Sequence, residues 1–503
     1  MPSMRRLTLP VLAAFAVLCL PSSALASMSQ ESIFEDEYLL VKQGQVSALG
    51  DMQALGADTI RNIVYWQDLA PAARSAKVPK GFKPANPRSY RAAAWDRYDN
   101  LVRGAAARGL HVLLTPSGPI PRWASGCKGT ATQVRACKPD AKLFGGFVQA
   151  LATRYSGSYA DENQGGGVLP RVDRWSIWNE PNQPGWLNPQ YVSARGQAHL
   201  WAADRYRALA AAGVRGLRAS GHGSDHILLG ETAPIGRTTG RLAERASPPV
   251  PFIAELFCLS SSGRKLRGAA LKAAGCKGFK RLGVNGFAHH PYTKGGSQPP
   301  LGRTLSTEIT IATPSRLRRL LDRGGSAGIV PRKLPVWDTE FGYQTNPPDR
   351  LFGVTLADQA IYLNQADYLA ARDKRVKSVA QYKLVDEQDQ ASFQTGLERY
   401  GTLAHKPAFA AYMLPIWAVR RGGSVAVYGQ VRPAPASSVE TVALQNAAKA
   451  AGPWTTVKTI TVRSVTGQFT TTTAAKPGVW RLRWTPAGGG ARRTSRVAQA
   501  GKR

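Results

Sequence analysis

The chain has 503 residues, with 66 Lys and Arg against 32 Asp and Glu and a formal charge of +34. That length accommodates a barrel of ~250 residues or more together with a second domain. The charge fits either attraction to an anionic cell-wall surface or acidic polysaccharide, or a solvated basic surface. Nucleic acid is set aside, because arginines such as Arg316, Arg318 and Arg319 are scattered along helices and form no recognition motif.

The first 26 residues read as a signal peptide. Arg5 and Arg6 precede the apolar run Leu7–Leu20, and Ala24-Leu25-Ala26 offers a small-x-small cleavage site. Cleavage near Ala26 would give a secreted protein. A lipid anchor at Cys19 is the weaker alternative, since bulky Leu18 precedes it. The apolar run is short for a bilayer span, and no later stretch is long enough, so no transmembrane segment is expected in the mature chain.

From about residue 30 to 418, strand-like and helix-like segments alternate, which implies parallel strands joined by helical crossovers. The expected strands are Glu35–Val41, Thr59–Tyr65, His111–Thr115, Val172–Trp178, Ile227–Gly230, Val284–Ala288, Val336–Trp337 and Ser378–Leu384. Helices are expected over Gln45–Leu55, Ala92–Arg108, Ala141–Tyr155, Ala194–Ala212, Ser315–Asp322, Ala357–Arg372 and Pro407–Ala418. Trp95, Tyr98, Leu101 and Val102 recur at helical spacing and read as core. Eight such units make an α/β fold, a (β/α)8 TIM barrel.

After Arg421-Gly422-Gly423 the pattern changes. Val425–Val431, Thr455–Val462 and Val479–Thr485 alternate like antiparallel strands, so residues 422–490 read as a small β-sandwich. Trp454, Trp480 and Trp484 are either a sugar platform or core, and core is favoured. The basic tail 491–503 is expected to be disordered. Without Cys19, four cysteines remain. Pairing Cys127 with Cys137 and Cys258 with Cys276 brackets one local loop each, as suits an exported protein, although other connectivities stay open. A zinc site is the alternative, without C-x-x-C spacing to support it.

Two stretches carry chemistry. Trp175–Asn182 reads W-S-I-W-N-E-P-N, and Pro181 has no N–H to continue a strand ladder. Asn179 and Glu180 therefore fall at a strand end, beside Trp178 and Trp186. A carboxylate partly desolvated there has its pKa raised, as a general acid needs. Leu334–Thr345 reads L-P-V-W-D-T-E-F-G-Y-Q-T and places Glu340 at another strand end, beside Phe341 and Tyr343. Two such glutamates suit the carboxylate pair of a glycosidase, and aromatic faces suit the C–H faces of sugars.

Other strand ends add candidates. Trp66 closes strand two. Trp123 either lines the cleft or packs under its own loop. Glu231 closes strand five, to bind sugar hydroxyls or to serve structure. Strand six leads into His289-His290-Pro291-Tyr292. Adjacent histidines suggest metal, but no third ligand stands at useful spacing. His289 alternates away from His290 and reads as packing. Tyr382, on strand eight, and Asp386, just beyond it, either reach the cleft or are solvated.

W-N-E-P at 178–181, H-x-Y at 290–292 and the later W-D-T-E-F-G around Glu340 together resemble the clan A glycoside hydrolases, retaining enzymes on (β/α)8 barrels, with families 5 and 39 nearest in style. The resemblance spans about residues 30–418. It implies Glu180 as acid/base and Glu340 as nucleophile. It also implies Asn179 on the sugar 2-hydroxyl, and Arg61, His290 and Tyr292 as supports, with Tyr292 orienting the nucleophile. For Arg61 the alternative is a surface arginine. Trp66, Trp123, Trp186 and Glu231 complete the supporting set. The implied partner is a carbohydrate, and no metal or organic cofactor is expected. Retention requires carboxyl groups about 5–5.5 Å apart. Two other readings remain: a transglycosylase of the same fold, and a catalytically weak wall-binding protein. The intact glutamate pair argues against the latter.

Overall fold

The computed structural model describes residues 30–194, 197–237, 239–260, 262–433 and 439–501. The expected signal peptide, its cleavage site and Cys19 lie outside the described residues. Among those described, eight parallel strands form one sheet: β1 (Glu31–Glu35), β2 (Thr59–Tyr65), β3 (His111–Ser117), β4 (Arg174–Ser176), β5 (His226–Thr232), β6 (Gly286–His289), β7 (Val336–Asp338) and β8 (Ser378–Tyr382). β1 pairs with both β2 and β8. A parallel bridge between Val336 and Val376, with Lys377 N donating to Val336 O at 2.7 Å, closes the circle between β7 and β8. The result is the expected TIM barrel.

Burial on both faces explains the apolar strands. Ile33, Leu113, Leu228, Ala288, Trp337 and Ala380 fill the barrel interior as one cluster. Ile60, Val64, Val112 and Leu114 belong to the larger cluster that also contains the helices' apolar faces. The helix Ala92–Ala106 buries Trp95, Tyr98, Leu101 and Val102 in that layer, as their spacing predicts.

Several boundaries differ from expectation. β1 ends at Glu35 instead of beginning there, and Tyr38–Lys42 is a π-helical turn. Buried Asp36 causes this: its carboxylate accepts from the backbone N–H of Leu39, Leu384 and Val385, which draws the chain out of the ladder. β4 is shorter than expected, because Trp178 turns to φ +68° and leaves extended geometry. The fourth long helix runs Trp201–Ala219, since Val192–Ala194 pairs with Gln197–His199 as a hairpin. The last barrel helix stops at Met413, not Ala418, because Ile416–Arg421 is already a strand of the next sheet.

That strand, β9, is followed by β10 (Ser424–Gln430), β11 (Glu440–Ala447), β12 (Thr455–Val462), β13 (Gln468–Ala474) and β14 (Val479–Trp484). They form two antiparallel sheets, β9-β10-β13 and β12-β11-β14, packed as a β-sandwich. Trp480 and Trp484 are buried in its core with Leu444 and Leu482, so they cannot be a platform. Trp454 is half-buried, with the Arg481 guanidinium 4.1 Å from its ring centroid. The tail expected to be disordered instead pairs with β14, through Arg493–Thr494 and Ala498–Gln499. Ser495 Oγ accepts from Leu482 N at 2.8 Å and Ala498 enters the core, which supplies the reason. Both expected disulfides are present, with Cα–Cα distances of 6.0 Å for Cys127–Cys137 and 5.9 Å for Cys258–Cys276.

Asp338 on β7 makes a stability prediction. Burial, then the nearby Asp373, push its carboxyl up to about 8. An unfolded aspartate titrates near ~3.9, so between those values the folded chain holds the extra proton. This contribution is complete at low pH and is lost as pH rises through about 8. Urea unfolding at pH 5 and pH 8 should show wild type losing roughly 1–3 kcal/mol more than Asp338→Asn across that interval. Equal losses in the two proteins would refute the assignment.

Candidate active site

Arg61 lies mid-strand on β2, wholly buried, and reaches to the C-terminal mouth of the barrel. Nη1 bonds Glu35 at the end of β1 and Glu340 Oε2 at 3.0 Å beyond β7. Nη2 bonds Asn179 Oδ1 at 2.6 Å beyond β4 and pairs with Glu231 Oε2 at 3.1 Å on β5. The resemblance implied an arginine supporting Glu340, and it is not a surface residue.

The two candidate glutamates meet around His290. His290 Nδ1 lies 3.0 Å from Glu180 Oε1 and 3.5 Å from Glu340 Oε2, while Nε2 lies 2.6 Å from Glu231 Oε2. Glu180, His290 and Glu340 each present a polar atom within 4.8 Å of the others. Tyr292 donates its hydroxyl to Glu340 Oε1 at 2.9 Å. Burial pulls the His290 imidazole down, but the Glu340, Glu180 and Glu231 carboxylates outweigh it and hold it up at about 10. Glu231 would be raised by burial, yet Arg61 and His290 keep it at about 2. Burial and the Glu340 charge push the Tyr292 phenol well above its ordinary value, so it stays a donor. Glu180, His290 and Glu340 thus form one contiguous polar cluster at the mouth of the barrel.

The backbone here is unusual. Trp178, Glu180 and Glu231 have φ of +68°, +37° and +45°. Left-handed backbone is uncommon for side chains of this size and clusters at functional sites. Local bonds hold it: Asn179 N donates to Ser117 Oγ at 3.0 Å, and Glu180 N to Glu231 O at 2.9 Å. A cleft of about 500 Å³ opens over the pair. Trp186 lines it, its ring parallel to Tyr65 at 6.4 Å, and Tyr382 lines another part with half-exposed Phe393.

Trp66 lies away from the cleft, and of the two readings of Trp123 the structure gives packing. Trp66 opens the helical turn Trp66–Leu69, which swings it under the mouth to stack on Phe147 at 5.6 Å. Trp123 packs edge-on against Trp66, and its Nε1 donates to Pro71 O at 3.0 Å. Glu231 is fully buried, so of its two readings only a role inside the protein fits. His289 is a packing residue as expected, bonded to Thr232 Oγ1 and Ile309 O. Asp386 pairs with Lys406 Nζ at 2.7 Å beneath the loop rather than reaching the cleft. Sequence reasoning missed Glu35 and Glu37, the latter bonded to the Tyr65 hydroxyl, along with Arg135 and Phe393 at the rim. The clustered E-D-E at 35–37 was the available signal, hidden by reading it as the start of a strand.

No family model and no curated protein matches the chain. Its structure is similar to that of a family 39 glycoside hydrolase from the gut symbiont Bacteroides cellulosilyticus WH2, at 14% identity and a TM-score of 0.50, covering 90% of this chain and 82% of that one. A hyperthermophilic β-glucosidase mutant aligns at 15% identity and 0.46, over 77% and 99%. The β-glucosidase of Pyrococcus furiosus aligns at 16% and 0.44, over 78% and 90%. At this identity the family 39 likeness establishes the shared fold, and the chemistry is argued from the site itself.

Removing Arg61 would leave buried carboxylates without their counter-charge. Arg61→Ala should lower unfolding stability by about 3–5 kcal/mol in urea titrations. Arg61→Lys should recover only part of this, because an ammonium cannot span partners on both sides of a planar fork. A loss below about 1 kcal/mol for Arg61→Ala, within the range of a surface pair, would show the network to be unimportant.

Proposed function

We propose that the protein is a retaining glycoside hydrolase, exported through residues 1–26 and acting on an oligo- or polysaccharide. The observation that carries this reading is the pair Glu180 and Glu340, with carboxylate oxygens within 4.8 Å of one another at the strand ends of a barrel. Such an approach supports direct attack by a carboxylate, as in retaining enzymes, over the wider spacing of an inverting pair. The basic surface would favour association with an anionic cell wall.

In the first step the Glu340 carboxylate attacks the anomeric carbon. The bond to the leaving oxygen breaks with its electron pair on that oxygen, which takes the Glu180 proton. In the second step Glu180 removes a proton from water, whose oxygen displaces Glu340 from the anomeric carbon. Arg61 and Tyr292 each bond one oxygen of Glu340. They therefore fix its orientation and withdraw negative charge as the glycosyl ester leaves. Asn179 gives its Oδ1 to Arg61, which leaves its amide N–H groups as the atoms available to a sugar 2-hydroxyl.

The test is hydrolysis of a panel of aryl glycosides and polysaccharides, followed by NMR of the product anomer. Wild type should release product with retained configuration. Glu340→Ala should be inactive, and azide should restore turnover as a glycosyl azide of inverted configuration. Glu180→Ala should lower kcat/KM by about 10²–10⁴-fold on substrates with poor leaving groups. Full activity in Glu340→Ala, or an inverted wild-type product, would overturn the mechanism. Silence of wild type across the panel would favour a wall-binding role, and accumulation of transfer products a transglycosylase.

A further inference from the structure

We infer that Glu231 is a positioning residue, which holds His290 as an imidazolium aimed at both members of the carboxylate pair. Its catalytic consequence rests on the glycosidase reading above. The geometry is specific. Glu231 Oε2 receives the Arg61 guanidinium at 3.1 Å, His290 Nε2 at 2.6 Å and the Thr339 hydroxyl at 2.7 Å. These partners come from β2 and from the ends of β6 and β7, so the carboxylate ties three parts of the barrel mouth to one point. Glu231 is wholly buried, so its charge is spent on these neighbours and not on water or substrate.

With Nε2 committed to Glu231, the imidazole ring has one orientation, and Nδ1 faces Glu180 Oε1 at 3.0 Å and Glu340 Oε2 at 3.5 Å. The titratable groups acting on the ring are Glu180 beyond β4, Glu231 on β5, Glu340 beyond β7 with Asp338 behind it, Glu35 at the end of β1 and Arg61 on β2. The adjacent His289 is neutral, since burial holds it at about 3. Glu231 and Glu340 already outnumber Arg61 without Glu180, so the ring keeps both protons while Glu180 carries the proton it will donate. When Glu180 gives its proton to the leaving oxygen, the new carboxylate meets a cationic donor already in place. That stabilises the charge as it develops, without reorganising water. Glu231 thus acts on the chemistry through His290, without touching substrate.

The experiment is ¹⁵N NMR of full-length protein labelled at histidine, with His290 assigned from a His290→Gln sample. The chain has 7 histidines, so the spectra are tractable. In wild type, both His290 nitrogens should be protonated at pH 8. In Glu231→Gln, which keeps the shape and loses the charge, the titration should move down by about one unit or more. On the substrate found by the panel, kcat should fall about tenfold or more while KM stays within about threefold, the split expected of an interaction made mainly in the transition state. A neutral His290 in wild type at pH 8, or an unmoved titration in folded Glu231→Gln, overturns the inference. If Glu231→Gln does not fold, the wild-type spectrum still decides. The spectra need no turnover, so silence on all glycosides would sink the glycosidase reading and leave this one to be judged separately.

Discussion

Everything at the mouth of the barrel depends on the buried charge of Arg61. Desolvating a guanidinium costs several kcal/mol, and only well-placed anions and acceptors offset it. Arg61 finds Glu35, Asn179, Glu231 and Glu340. These lie on, or directly after, strands β1, β4, β5 and β7, so one side chain on β2 sets the relative position of five of the eight strands. The charges close approximately. Arg61 and His290 face Glu231 and Glu340, and burial raises the Glu35 carboxyl well above its ordinary range while Arg61 opposes that shift. Glu180 stands at the solvent edge of this set, bonded to His290 Nδ1 at 3.0 Å.

The backbone carries the complementary constraint. Left-handed geometry at Trp178, Glu180 and Glu231 costs of order 1–3 kcal/mol per residue. It sits on the two strand ends that must turn a carboxylate inward. The preceding Gly230 is needed for a different reason. At φ +119°, a Cβ there would meet Ala288 O at 2.4 Å, so only glycine lets β5 lie this close to β6. The strain is therefore local and held by neighbours, including the Glu180 N to Glu231 O bond that joins the two strained turns to each other.

The barrel was legible because buried parallel strands and amphipathic helices have different periods. β2 and the helices around 92–106, 141–154 and 356–371 fall within a few residues of where their patterns place them. The glutamate pair was legible because N-E-P and the later strand-end Glu340 stop their strands in recognisable ways. Failures came where a polar residue works by tertiary contact. Asp36 ends β1 by accepting backbone N–H groups from more than 300 residues away, and no local pattern records that. Trp66 looks like a cleft aromatic by position, but the helical turn after β2 rotates it into the core, where Trp123, from the turn Arg122–Ala124 beyond β3, packs against it. The tail beyond residue 491 has the composition of a disordered segment, and its order comes from β14, which it meets only in the folded sandwich.

The net charge and the cleft act as separate determinants. The chain is +34, yet the charged residues lining the cleft are Glu37, Asp68, Glu180, Glu340 and Glu387 against only Lys42 and Arg135. The excess of basic groups therefore lies outside the cleft. At physiological ionic strength its field fades within a Debye length of about 8 Å. Attraction to an anionic wall would concentrate the protein on its substrate without selecting which sugar enters. Selection is left to the shape of the cleft and its rim, where Trp186 and Tyr65 stand in one part and Tyr382 and Phe393 in another. Inside, the carboxylates are tied to Arg61 and His290 rather than to the distant surface charge. Under the proposed function, the same basic exterior is compatible with a neutral substrate, because surface attraction and recognition in the cleft would rest on different residues.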